Sequence, residues 1–301
     1  MMDGPRRHLL VTADDFGMGP ATSEGILDAA ECRVITSSVL LVNSPNAATA
    51  VQSWRQRGCP MELGWHPNLT LDAPVLPAVR VPSLTGPDGN FWPLHAFLRR
   101  WLIGRLRAEE IELELEAQLE RFRELTWQDP TIVNTHQHVA VFPPVGQILF
   151  DVLQQNDCRP LVRKVRERWS TLVRVPGARI KRLLLNGLGR RLAAVQDARQ
   201  FPCNDWLAGI TDPQWVRRPD FFASWLRAST GNVVELMCHP GHWDDTLVGR
   251  DCRLGDGLQQ RRVDELRMLQ LPEFLDAVHE AGFTLAGPSQ LMPRDLRHAI
   301  A

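Results

Sequence analysis

Residues 8–19 read HLLVTADDFGMG, an apolar run that ends in two consecutive carboxylates, Asp14 and Asp15, and then in a turn marked by Gly17 and Gly19. The apolar part, 8–12, has the length of a buried strand. Pro20 opens a helix, with Thr22 and Ser23 offering capping hydroxyls before Ile26, Leu27 and Ala30. Strand, polar end, glycine turn and helix make one βα unit, and the pattern recurs along the chain. Further strands are expected at 38–42, 61–65, 131–135, 171–175, 233–238 and 283–286, and long helices at about 108–125 and 259–281. A loop rich in Pro and Gly at 72–93 has the length of a lid or substrate wall. Seven such units predict an α/β fold around a parallel sheet, barrel-like or doubly wound, in which ligands bind at the carboxyl ends of the strands.

The chain has 301 residues, 44% hydrophobic and 23% charged, enough for one large core. The expected organisation is a single domain over 1–301 with an inserted basic helical segment at about 161–200. A net charge of −1 provides no field that would select nucleic acid. The six cysteines are scattered with no CxxC pair, which suits reduced thiols and a cytoplasmic protein. The apolar run before Asp14 is too short for a secretory signal, and no run approaches the roughly 20 apolar residues of a spanning helix.

Polar residues recur at the strand ends. Successive residues leaving a strand point to different sides, so one of Asp14 and Asp15 can bind a metal while the other reaches the water it activates; a lone pair of aspartates also reads as a turn cap. GWHPNLT (64–70) places His66 just past a strand, and IVNTHQH (132–138) places His136 and His138 on one face if strand spacing continues. VVELMCHPGHWDD (233–245) ends a strand at His239 before a Pro-Gly turn. Four polar strand ends in one α/β alternation argue for one shared site, that of a mononuclear metal hydrolase.

VTADDFG, GWHPNLT, THQH and ELMCHPG stand in the order found in the YdjC-like carbohydrate deacetylases, the group containing the ChbG and HpnK proteins, which this chain resembles over nearly its whole length. The resemblance implies a deviant (β/α) barrel of about seven strands related to polysaccharide deacetylases. It also implies one divalent metal ion and hydrolysis of an N-acetyl group from an acetylated amino sugar with release of acetate; a set of one carboxylate and two histidines suits zinc, but also magnesium, manganese or cobalt with added waters. By the same resemblance Asp15, His66 and His136 hold the metal, Asp14 is the catalytic base and His239 the acid, acting as imidazolium. Trp243, which can stack on a sugar face, together with His138 and Asn68, are the expected substrate contacts. The chain departs from the family where Asn134 replaces a common aspartate, Ala140 a third alternating histidine and Pro67 a leucine. Asn134 has no charge with which to orient a ligand imidazole, so altered substrate choice or reduced activity is expected.

Between Leu161 and Arg199 arginines alternate with leucines, a composition that fits either a basic amphipathic face on an anionic membrane, suited to a glycolipid substrate, or a solvated helix packed on the barrel. Homodimerisation is compatible with this sequence. Two other readings stand beside the deacetylase: another metal-dependent amidase or esterase on the same scaffold, and a non-catalytic carbohydrate-binding relative.

Overall fold

The computed structural model describes residues 7–293. Its strands are β1 (Arg7–Phe16), β2 (Ser37–Leu40), β3 (Glu62–Trp65), β4 (Ile132–Val133), β5 (Leu161–Val162), β6 (Trp206–Ala208), β7 (Val233–Cys238) and β8 (Phe283–Leu285). All their pairings are parallel, in the order β5-β4-β3-β2-β1-β7-β6. β8 pairs with the first residues of β1, next to the stretch that pairs with β2. The two ends of this path meet through single main-chain bonds, Val162 N–H to Pro202 O at 2.8 Å and Leu207 N–H to Arg166 O at 2.8 Å. The sheet therefore curls into a deviant (β/α) barrel whose last seam is not a regular ladder.

Alternation along the strands separates two environments. In β1, Leu9, Val11 and Ala13 join the large core shared with the surrounding helices, as do Val234, Leu236 and Cys238 of β7. Leu10 instead clusters with Val39, Ile132 and Leu161 in the barrel interior. Two residues further along β1, the Thr12 and Ser37 hydroxyls meet at 3.2 Å. Two further again come Asp14, Asn134 and Arg163, so the interior passes from hydrocarbon to charge toward the carboxyl ends of the strands.

Three expectations change. Residues 171–175 form no strand; they lie largely within the helix Trp169–Arg174, and the strands on that side are the short β5 and β6. The expected helix 259–281 is two, Leu258–Leu269 and Pro272–Glu280, because Pro272 has no N–H to continue the first. The loop 72–93 does not wall the site: Val75 and Leu76 N–H donate to the buried Glu114 carboxylate and Ser83 N–H to Glu110, which strap it to the helix Ala108–Thr126.

The helix Pro20–Glu31 has no cap from its own hydroxyls; Thr22 N–H donates to Asp244 Oδ2 at 2.9 Å, across 222 residues. Ser23 Oγ instead accepts from Gly17 N–H at 3.0 Å and donates to Gly19 O at 2.8 Å. The segment 161–200, expected to carry helices, contains β5 and the helices Trp169–Arg174 and Arg179–Ala198.

Gly64 marks a close approach between β3 and β4, since a Cβ there would stand 2.1 Å from Ile132 O. Gly64→Ala should lower unfolding stability by about 1–3 kcal/mol, read from a urea denaturation midpoint. An unchanged midpoint would mean that β3 and β4 separate without cost.

Candidate metal centre and its cavity

β1 changes register between Ala13 and Phe16, and Asp15 takes φ 70°, a left-handed conformation uncommon outside glycine. The bulge turns the two adjacent carboxylates to different partners. Asp14 receives a bidentate pair from Arg163, Nη1 to Oδ2 at 2.6 Å and Nη2 to Oδ1 at 2.8 Å. The same guanidinium donates through Nε to Glu235 Oε1 of β7 at 2.8 Å, which makes a buried carboxylate–guanidinium–carboxylate triad. Burial pushes the Glu235 carboxyl up against the pull of Arg163.

Asp15 turns to the histidines. Its Oδ1 lies 3.1 Å from His136 Nδ1 and 3.4 Å from His66 Nε2, and Arg262 Nη2 donates to Oδ2 at 2.7 Å. Burial works to raise the Asp15 carboxyl, but Arg262 and His136 together hold it well below the usual carboxylate range. Burial works to lower the His136 imidazole, and Asp15 more than offsets it, so the net direction is upward. His66 Nδ1 donates to the main-chain oxygen of Asn134 at 2.8 Å, which fixes the tautomer and leaves Nε2 bare. The His136 main-chain N–H donates to Pro67 O at 2.9 Å, so the ends of β3 and β4 clamp each other.

One oxygen of Asp15 and one nitrogen from each histidine lie within 4.8 Å of one another, all three residues buried. His66 Nε2 and Asp15 Oδ1 present lone pairs to each other, and His136 Nε2 is buried without a hydrogen-bond partner. Ligand bonds of about 2.0–2.2 Å set neighbouring donors about 3–3.5 Å apart, so the 3.4 Å between His66 Nε2 and Asp15 Oδ1 suits a divalent cation.

The cluster opens into a cavity of about 200 Å³ lined by Asp14, Asp15, His66, His136, His138 and His239 with Lys181, Arg261 and Arg262. Ligand pockets usually enclose about 300–1,000 Å³, so this one admits a reacting group and leaves the rest of a larger molecule outside. Arg261 Nη2 donates to His239 Nδ1 at 3.1 Å, and Glu265 binds both Arg261, at 2.7 Å, and the His239 main-chain N–H. Nδ1 is therefore an acceptor and the ring proton sits on Nε2. Burial and the positive charge of Arg261 push the His239 imidazole well below its ordinary range. Both influences favour the neutral imidazole over the imidazolium.

His138 lines the cavity, but not by strand alternation: 136–141 is a 3-10 turn in which Gln137 and His138 have positive φ. Asn68 and Trp243 are not among the lining residues. Asn68 is buried and fully engaged, its Oδ1 accepting from Thr70 and Leu71 N–H and its Nδ2 donating to Asn43 and Leu71. Trp243 is half exposed and its indole N–H donates to Asp245 at 2.9 Å. Of the departures from the family pattern, Asn134 donates its amide to Asp14 Oδ1 at 3.3 Å while its backbone holds His66, and Ala140 lies outside the cavity. Arg163, Arg261, Arg262 and Lys181 were not singled out as site residues from sequence. The only hint was that Arg163 follows the apolar Leu161 and Val162, as Asp14 and His66 follow mainly apolar runs.

Parallel strands carrying a two-imidazole, one-carboxylate cluster at their carboxyl ends define an α/β barrel protein with a candidate cation centre. The YdjC-like protein family model matches residues 8–280, and the chain belongs to that family. A carbohydrate deacetylase from Danio rerio is 35% identical, over 94% of this chain and 98% of that protein. A carbohydrate deacetylase from Mus musculus is 42% identical over 156 residues, and this match spans only 50% of that protein's length. Among solved structures, a candidate cellobiose-phosphate cleavage protein from Enterococcus faecalis superposes with a TM-score of 0.74 at 25% identity, covering 96% of this chain and 100% of the other.

Arg163→Met would leave Asp14 and Glu235 buried without their cation. The expected loss is about 3–5 kcal/mol of unfolding free energy, measured by chemical denaturation. A loss of under about 1 kcal/mol would show that the triad does not hold the barrel together.

Proposed function

We propose that this protein is a metal-dependent carbohydrate N-deacetylase that cleaves the N-acetyl group of an amino sugar and releases acetate. The observation that carries the reading is the Asp15–His66–His136 donor cluster in the wall of a cavity that also presents Asp14. Relatives named carbohydrate deacetylase support the substrate class.

Asp15, His66 and His136 would hold one divalent cation, with zinc or magnesium both compatible with one carboxylate and two imidazoles. Such a cation, when bound, polarises the acetyl carbonyl and makes water acidic enough to attack it. Asp14 accepts the proton of the attacking water and passes it to the sugar nitrogen as the C–N bond breaks, while Arg163 keeps its carboxylate in place. His239 donates an Nε2–H hydrogen bond to the tetrahedral centre, with Arg261 occupying Nδ1. The small cavity takes the acetamido group, and the remaining sugar or glycolipid lies at its mouth.

Protein stripped by chelator and refilled with zinc or magnesium should release acetate from N-acetylated sugars only when refilled. Asp14→Asn should keep stoichiometric metal and lose about 10²–10⁴ in kcat. An Asp14→Asn enzyme with wild-type turnover would remove Asp14 as base, and acetate release without metal would remove the cation.

His239→Ala should cost about 10²–10³ in kcat, with His239→Gln, which keeps an N–H donor, losing less. Because the His239 imidazole titrates below its ordinary value, it stays neutral above about pH 6.5, and the alkaline limbs of wild type and His239→Gln should run parallel. An alkaline loss in wild type that His239→Gln abolishes would restore the imidazolium acid.

A further inference from the structure

From Arg168 to Gln196 the chain contains no Asp or Glu. Arg168, Arg174, Arg179, Lys181, Arg190 and Arg191 are all exposed there, and none forms an ion pair among the described residues. Elsewhere exposed arginines such as Arg121 and Arg218 meet carboxylates. Among these cations stand large apolar side chains: Trp169 is 62% exposed, Val173 57%, Ile180 78%, Leu183 50% and Leu184 63%. Surface helices normally turn mixed charge to water and apolar residues to the core. This pair of helices turns hydrocarbon and unpaired positive charge outward together.

The arrangement is held firmly. Arg182, on the inward side, is buried against Glu167 and donates to the carbonyls of Thr171, Val175 and Gly177. Its guanidinium also lies 4.6 Å from the Trp225 ring centroid. Arg179 Nη2 donates to Val173 O at 3.3 Å, which joins the two helices at their exposed ends. Ile180, Leu183, Leu184, Gly187 and Arg191 follow helical spacing along one outward face. Lys181 of the same helix lines the catalytic cavity, so the face continues to its mouth.

We propose that the face formed by the helices Trp169–Arg174 and Arg179–Ala198 seats the protein on an anionic lipid bilayer, with the cavity mouth at the edge of the contact. Protruding apolar side chains enter the headgroup boundary and the surrounding cations attract its negative charge, the two signals that together give stable peripheral binding. A second copy of the chain fits poorly, because two such faces would oppose like charges. The proposal rests on this surface alone and is independent of the reaction.

The test is co-sedimentation of the full chain with vesicles of phosphatidylcholine alone or mixed with phosphatidylglycerol. Binding is expected only to the mixed vesicles and should weaken with added salt. Arg190→Gln with Arg191→Gln should weaken it about thirtyfold, and Leu183→Ser with Leu184→Ser at least about tenfold. Arg80→Gln with Arg105→Gln, which removes the same charge elsewhere, should bind as wild type, and circular dichroism checks that each variant is folded. No binding to mixed vesicles, equal binding to neutral ones, or unchanged binding by the Arg190/Arg191 variant would overturn the proposal. So would a concentration-dependent dimer lost in the Leu183/Leu184 variant, which would assign the face to a second copy.

Discussion

Arg163 is the constraint on which the rest of the barrel's upper half depends. It leaves the short strand β5 and crosses the interior to Asp14 on β1 and Glu235 on β7. Two carboxylates so deeply buried could not both stay charged beside each other without a cation between them. The same bonds hold the Asp14 carboxylate in the wall of the cavity and tie β5 to strands with which it shares no ladder. The polar upper layer above Leu10, Val39, Ile132 and Leu161 is organised around this one side chain.

The backbone does the remaining positioning. The bulge at the end of β1 and the left-handed Asp15 separate two neighbouring carboxylates that an unbroken strand would also separate, but not toward these partners. Gly17 follows at φ 84°, a left-handed conformation that a side chain would strain, so the turn after the site calls for glycine. Asp244 grips the first turn of the helix Pro20–Glu31, and Gly25 in that helix lets the Pro-Gly turn after His239 approach closely.

Much of this was legible in the sequence because β1, β3 and β7 are apolar runs with an abrupt polar end, and that end is where Asp14, Asp15, His66 and His239 stand. β4 and β5 have only two residues each, too few for any periodicity, and are strands because their neighbours pair with them. Residues 171–175 look like a strand from their β-branched content, yet Arg182 caps their carbonyls and fixes them as the end of a helix. His136 and His138 are brought to one cavity by two left-handed residues, which no spacing rule anticipates. The arginines were harder still: Arg262 meets Asp15 across 247 residues, and one arginine among many carries no local signature.

The bond from His66 to the main-chain oxygen of Asn134 has an evolutionary meaning. Every residue type supplies that carbonyl, so the ring's orientation is inherited from the path of the backbone and not from the identity of position 134. The side chain there is released to vary against Asp14. A substitution at position 134 thus changes what donates to Asp14 while the imidazole beside it keeps its aim.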